Sequence, residues 1–141
     1  MTTTLDRPTP LADNIGVPSH HVPLIRRLVG ELFLVTAGVH VGIVMADPQS
    51  YRDFADGALP GVRTAWTDVF MAHPAAWGLA VAGGELAIAV LILVGGRWTR
   101  YGLLAAICFH VALLLFGWGF LLWSVPMLLL LVPLYRRELR P

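Results

Sequence analysis

Four long apolar stretches, separated by short polar breaks, dominate the pattern of the chain. They run from about Leu24 to Ala46, from Pro74 to Val94, from Tyr101 to Phe116 and from Gly119 to Tyr135. Each approaches the ~20 residues an α-helix needs to cross the hydrocarbon of a bilayer. The last two form one nearly continuous apolar run, interrupted by Gly117-Trp118-Gly119. At ~1.5 Å per residue that run is too long for one crossing, so a tight helical hairpin is predicted at the glycines. Pro126 is expected to kink the fourth helix and Pro133 to help end it.

The polar segments divide the rest. Residues 1–22 are rich in Thr and Pro, and no basic start precedes an apolar run there. They read as a disordered or surface-lying tail rather than a signal peptide. The connection between the first two spans, residues 47–73, is long enough to carry structure of its own. Within it Val62, Ala65, Trp66, Val69 and Phe70 fall at i, i+3, i+4, i+7 and i+8, with Arg63, Thr64, Thr67 and Asp68 on the opposite side. That spacing predicts a short amphipathic helix, lying on the outer membrane surface or capping the bundle.

Composition fixes the class. Hydrophobic residues make up 57% of the chain and charged residues 13%, with a mean hydropathy of +0.70. Soluble domains carry about a quarter charged residues. The fold class is therefore all-α: an integral membrane four-helix bundle. Orientation follows from arginine. Eight of the ten fall on the side of the two termini and of the turn between the second and third spans, against Arg52 and Arg63 in the 47–73 loop. Both termini are expected in the cytoplasm. Trp98, Tyr101 and Tyr135 would mark the inner interface, and Trp66, Trp77, Trp118 and Trp123 the outer one. All ten basic residues are Arg, which with abundant Ala, Gly, Val and Leu suggests a GC-rich bacterial genome and hence a multi-pass protein of the bacterial inner membrane. A net charge of +1 gives no ground for nucleic-acid binding. The single cysteine, Cys108, excludes an intrachain disulfide and a CxxC centre and is expected in core packing. Any redox role must come from a bound cofactor or a partner.

Candidate chemistry lies in four ionisable residues within the spans: Glu31, His40, Glu85 and His110. Such groups are costly in hydrocarbon and face the bundle interior. Measured from the cytoplasmic arginines at ~1.5 Å per residue, His40, Glu85 and His110 lie roughly 20, 18 and 15 Å deep. Glu31 sits near the inner surface, where Arg97 or Arg100 could form a structural ion pair with it. At 100° per residue Gly78, Ala82, Glu85 and Ala89 share one face, and Ala106, His110 and Gly117 share another. Small residues mark close helix contacts in membranes, so a Glu85–His110 pair is plausible. Gly38 and Gly42 share a face with Glu31, whereas His40 points the other way, to another neighbour or the outer cavity. The pair reads as a polar clasp fixing helix packing, as a proton-exchanging site beside a quinone or another redox-active head group, or as part of a proton or ion path. Ligation of a metal or haem by His40 and His110 is disfavoured by their facing and by the lack of HxxE or HxxxH spacing.

The stretch Arg27-Leu28-Val29-Gly30-Glu31-Leu32-Phe33-Leu34-Val35-Thr36-Ala37-Gly38-Val39-His40 resembles the opening helix of DoxX-like membrane proteins. Gly84-Glu85-Leu86 through Gly95-Gly96-Arg97-Trp98-Thr99-Arg100 looks like that family's acidic, glycine-rich segment with its following arginine. The likeness covers about residues 26–117. His40 stands where the family commonly has Lys, and the acidic outer loop is longer. The resemblance implies four helices with cytoplasmic ends and a place in membrane redox assemblies, such as those linked to thiosulfate:quinone oxidoreduction, methylamine utilisation or oxidative stress. It also implies that Glu85 is the family's acidic position and Arg97 or Arg100 its basic one. The expected function is an accessory or quinone-interacting subunit of a bacterial membrane redox complex, holding a quinone near Glu85 and His110, with other subunits or further copies of the chain as partners. A non-catalytic membrane scaffold and a small proton-coupled transporter are the alternatives.

Overall fold

In a computed structural model, which describes residues 24–140, every element is helical. Helix α1 spans Leu24–Ala46. A 3₁₀ segment over Pro48–Ala55, a short α2 over Pro60–Ala65 and a π turn over Trp66–Phe70 fill the following connection. Helices α3 (Pro74–Val94), α4 (Arg97–Leu113, prolonged by a 3₁₀ turn over Leu114–Phe116) and α5 (Trp118–Glu138) complete the fold. The tail expected over residues 1–22 lies outside the described residues. Four of these helices are long and apolar enough to cross a membrane. Their outward side chains agree, since Leu34, Val35, Val39, Leu86, Val90, Leu104, Leu122 and Leu129 are exposed.

The packing order is α1 on α3, α3 on α4 and α4 on α5. The core, formed by Val29, Phe33, Ile88, Ala89, Ile92, Leu103, Ala106, Met127, Leu131 and Leu134, lies toward the arginine-bearing end. Small residues set these contacts. A Cβ on Gly30 would lie 2.6 Å from Leu93 Cγ, and one on Gly102 would lie 2.7 Å from Ile92 Cγ1. Gly78, Ala82, Glu85 and Ala89 are buried together on α3, as the helical spacing predicts, whereas Gly83 and Gly84 face outward. Gly38 and Gly42 are also exposed, so their GxxxG step packs against nothing in the described chain.

Both interhelical turns use glycine. Gly95 and Gly96 have φ of 85° and 59°, and Gly117 has φ of 98°, a region that a side chain disfavours. Gly117 makes the predicted hairpin between α4 and α5. Two expectations are corrected. Pro133 does not end α5, which runs on to Glu138; the missing amide hydrogen bond is tolerated inside an otherwise continuous apolar helix. Cys108 is exposed on α4 rather than in the core, because the buried face there is set by Leu103, Ala106 and His110.

The 47–73 connection folds over one end of the bundle. Asp47 caps the 3₁₀ segment by accepting from Gln49 N at 2.9 Å. Tyr51, Ala55, Ala58 and Phe70 are buried beneath it. Arg63 donates to the carbonyls of Ala55 and Asp56. The cap is pinned to the α4–α5 hairpin by Leu59 N donating to Leu115 O at 3.1 Å. Gly57 also sits so close to Gly117 that a Cβ on the latter would enter the Gly57 backbone. Over 60–70, where an amphipathic helix is predicted, the chain forms the short α2 and then a π turn in which Met71 N donates to Trp66 O at 2.9 Å. That wider turn buries Phe70 and leaves Val69 exposed.

Candidate functional site

Beneath the cap lies a cavity of about 330 Å³, bounded by all four long helices and the cap. Its walls are aromatic and aliphatic: Phe54 and Trp66 from the cap, Val39 and Ile43 from α1, Phe109 from α4, Phe120 and Trp123 from α5. Polar groups stand on one side, where Thr36 and His40 of α1 and Tyr51 of the cap meet Glu85 of α3. Cavities of this volume with few, convergent polar groups are the usual form of a small-molecule site.

The polar groups form a chain. Tyr51 is fully buried, its ring stacked on His40 at 5.6 Å between centroids and set edge-on to Phe54 and Phe70. Its hydroxyl lies 2.7 Å from His40 Nδ1 and 3.4 Å from the His40 carbonyl. With the shorter contact as the hydroxyl's donation, His40 carries its proton on Nε2, the nitrogen that faces Glu85 Oε2 at 3.8 Å. Burial, and then the negative charge of Glu85, push the Tyr51 hydroxyl above its ordinary pKa, so Tyr51 serves as a neutral donor. The arrangement Tyr51–His40–Glu85 can therefore take up or release a proton at one edge of an otherwise apolar space.

His110 occupies the next position. It is 2% exposed, is flanked edge-on by Phe33 and Phe109, and donates from Nδ1 to the Ala106 carbonyl at 2.9 Å. A carbonyl only accepts, so in the neutral ring Nε2 is left as an acceptor. That Nε2 and Glu85 Oε2 are both buried without a hydrogen-bond partner. Both residues line a small recess of about 20 Å³ with Leu32, Phe33, Thr36, Phe109 and Trp123, room for roughly one water. Unpaired buried polar atoms carry a free-energy cost, and two of them belong to residues lining this one recess.

The six residues singled out in the sequence thus separate into two groups. His40, Glu85 and His110 come together at mid-bundle, with His40 rather than His110 at ion-pair distance from Glu85. The expected pairing of Glu31 with Arg97 or Arg100 is replaced by an i,i+4 pair with Arg27, at 2.7 Å on one helix. Arg97 instead lies over the Trp98 ring, and Arg100 donates to Tyr101 Oη at 3.0 Å. Trp66, expected as an interface anchor, is drawn into the cap. There it stacks on Phe70 at 3.7 Å and donates to the Tyr51 carbonyl at 2.9 Å.

Sequence reasoning passed over Tyr51 and Phe54. Their signal was present: Tyr51, Phe54, Ala55 and Ala58 fall at i, i+3, i+4 and i+7, but charged neighbours mask the stripe. The chain matches no protein-family profile and has no significant match among curated proteins or solved structures.

Proposed function

We propose that the chain is a multi-pass protein of a bacterial cytoplasmic membrane that binds a quinone and exchanges protons with it, as an accessory subunit of a membrane redox complex. Both termini face the cytoplasm in this reading, by the arginine asymmetry, and the cap and cavity lie toward the outer side. The likeness of residues 26–117 to DoxX-like proteins supports the same assignment.

The observation that carries the reading is the pairing of a largely apolar, aromatic-walled cavity with one polar edge made by Tyr51, His40 and Glu85. A bound quinone supplies two-electron chemistry coupled to two protons. In this reading the electrons come from a partner subunit, the single cysteine excluding a CxxC centre in this chain. Phe54, Trp66, Phe109 and Phe120 offer faces for a flat ring. His40 presents Nε2–H toward Glu85 at the cavity edge, and the two can pass a proton to or from a bound head group. His110 lines the same water-sized recess as Glu85 and offers Nε2 as a second basic group.

The test is direct. Protein purified in mild detergent is extracted with organic solvent and examined for quinone, and a decyl-tailed benzoquinone is titrated against tryptophan fluorescence. Binding that weakens at least tenfold in Glu85→Gln or His40→Ala supports the reading. If no quinone is extracted and the added one does not quench, the reading fails. The buried polar residues are then a clasp in a membrane scaffold.

A further inference from the structure

Contacts at both ends of the bundle flank the cavity. On the loop side the cap is fixed by the Leu59–Leu115 hydrogen bond and the Gly57–Gly117 contact, and braced within itself by the Trp66–Tyr51 hydrogen bond. At the opposite end Arg26 Nη1 meets Glu138 Oε1 at 3.4 Å, tying the start of α1 to the end of α5. Between these closures the wall is uneven. Among the described residues α1 packs on α3, α3 on α4 and α4 on α5, whereas α1 and α5 have no extensive interface of their own.

A seam therefore runs between α1 and α5, and two recesses mark its course. Near the arginine-bearing end it holds a groove of about 130 Å³ lined by Ile25, Leu129, Leu130, Pro133, Leu134 and Arg137. At mid-height it deepens into the recess where Leu32 and Thr36 of α1 face Trp123 of α5, with Glu85 and His110 behind them. Thr36, Glu85, Phe109 and Trp123 line this recess and the large cavity alike, so the two are continuous. Trp123 is 47% exposed although it borders both spaces, the position of a door rather than of a wall. The buried, unpartnered Glu85 Oε2 and His110 Nε2 lie just inside it.

We infer that the cavity is loaded sideways from the bilayer, through the α1–α5 seam and past Trp123, by an amphiphile whose head group stops at His40 and Glu85 while its apolar tail remains in the seam. This rests on the quinone-binding reading and adds to it the route and the class of ligand: a lipid-dissolved molecule with a long tail, as opposed to a water-borne one. Leu32 and the aliphatic groove below it match a hydrocarbon chain, and the polar edge lies at the depth where a head group would leave that chain.

Two cysteine pairs in a Cys108→Ser background test the route. Leu32→Cys with Trp123→Cys locks the seam under a short, cleavable cross-linker, and Leu59→Cys with Leu115→Cys locks the cap. Each protein, in liposomes, is loaded with a decyl-tailed benzoquinone, and its exchange is followed by tryptophan fluorescence before and after cleavage of the link. Each cleaved sample is its own folding control. The expected result is exchange at least tenfold slower with the seam locked, restored on cleavage, and unchanged with the cap locked. Normal exchange through a locked seam, or slowing by the locked cap alone, overturns the lateral route while quinone binding stands. If the Cys108→Ser parent, with no cysteine pair added, binds no quinone, both the route and the binding reading fall.

Discussion

Tyr51 joins the cap to the polar edge of the cavity, and its ring and hydroxyl make separable contributions. Tyr51→Phe keeps the stack on His40 and the edge contacts with Phe54 and Phe70 but removes the 2.7 Å contact with His40 Nδ1. One hydrogen bond is lost and a half-buried ring nitrogen is left unpaired, an expected cost of about 1.4 kcal/mol, or roughly tenfold in the unfolding constant. Tyr51→Ala removes a fully buried ring from an aromatic cluster, and comparable truncations cost about 4 kcal/mol. Both can be read in mild detergent by titrating in a denaturing one and following tryptophan fluorescence, since Trp66 donates to the Tyr51 carbonyl and reports on the same contact. The Phe variant should also bind quinone more weakly, because His40 then loses the partner that keeps its proton on Nε2. Equal destabilisation by Phe and Ala would show that the hydroxyl anchors the cap. A Phe variant as stable as the parent, with unchanged quinone binding, would refute the Tyr51–His40–Glu85 chain.

Four further outcomes are expected. Since Tyr51 titrates above its ordinary value in the folded chain, its contribution to stability is complete below about pH 10 and is lost as the pH rises through the folded value; an alkaline denaturation series should show that loss, and Tyr51→Phe should diminish it. Gly117→Ala combines a positive φ with a collision against Gly57, and should lower stability by about 3 kcal/mol. Gly119→Ala, with nothing near its Cβ, should be neutral or gain up to ~1 kcal/mol; thermal melts of the two variants beside the parent check both. Cys108, exposed on the apolar side of α4, should react with an uncharged maleimide in membranes and resist a charged thiol reagent; rapid labelling by the charged reagent would place it in water.

The long helices were readable because hydrophobic period and length report directly on bilayer-crossing segments, and the bounds of α1 and α3 coincide with the apolar runs. The burial of Glu85 and His110 was readable too, from their place on small-residue faces. Their partners were not. Helical facing gives a direction around an axis but not which neighbour stands there, so His40 was set apart from Glu85 although α1 packs directly on α3. Tyr51 was hidden for a different reason: it lies in an acidic loop, and its burial depends on the loop folding back over helices distant in sequence. Glu31 shows a third limit, since an i,i+4 arginine on its own helix satisfied it more simply than residues across the bundle.

The two closures of the cavity have a consequence for how the protein is made. The Gly57–Gly117 contact and the Arg26–Glu138 ion pair each join the first half of the chain to its last quarter. During synthesis α1, the cap and α3 are complete before any of α5 exists, so for that interval His40, Tyr51 and Glu85 stand on an open half-bundle. The compartment comes into being only when the α4–α5 hairpin docks. A chain released early, after α4, would carry His40, Tyr51, Glu85 and His110 and still enclose nothing.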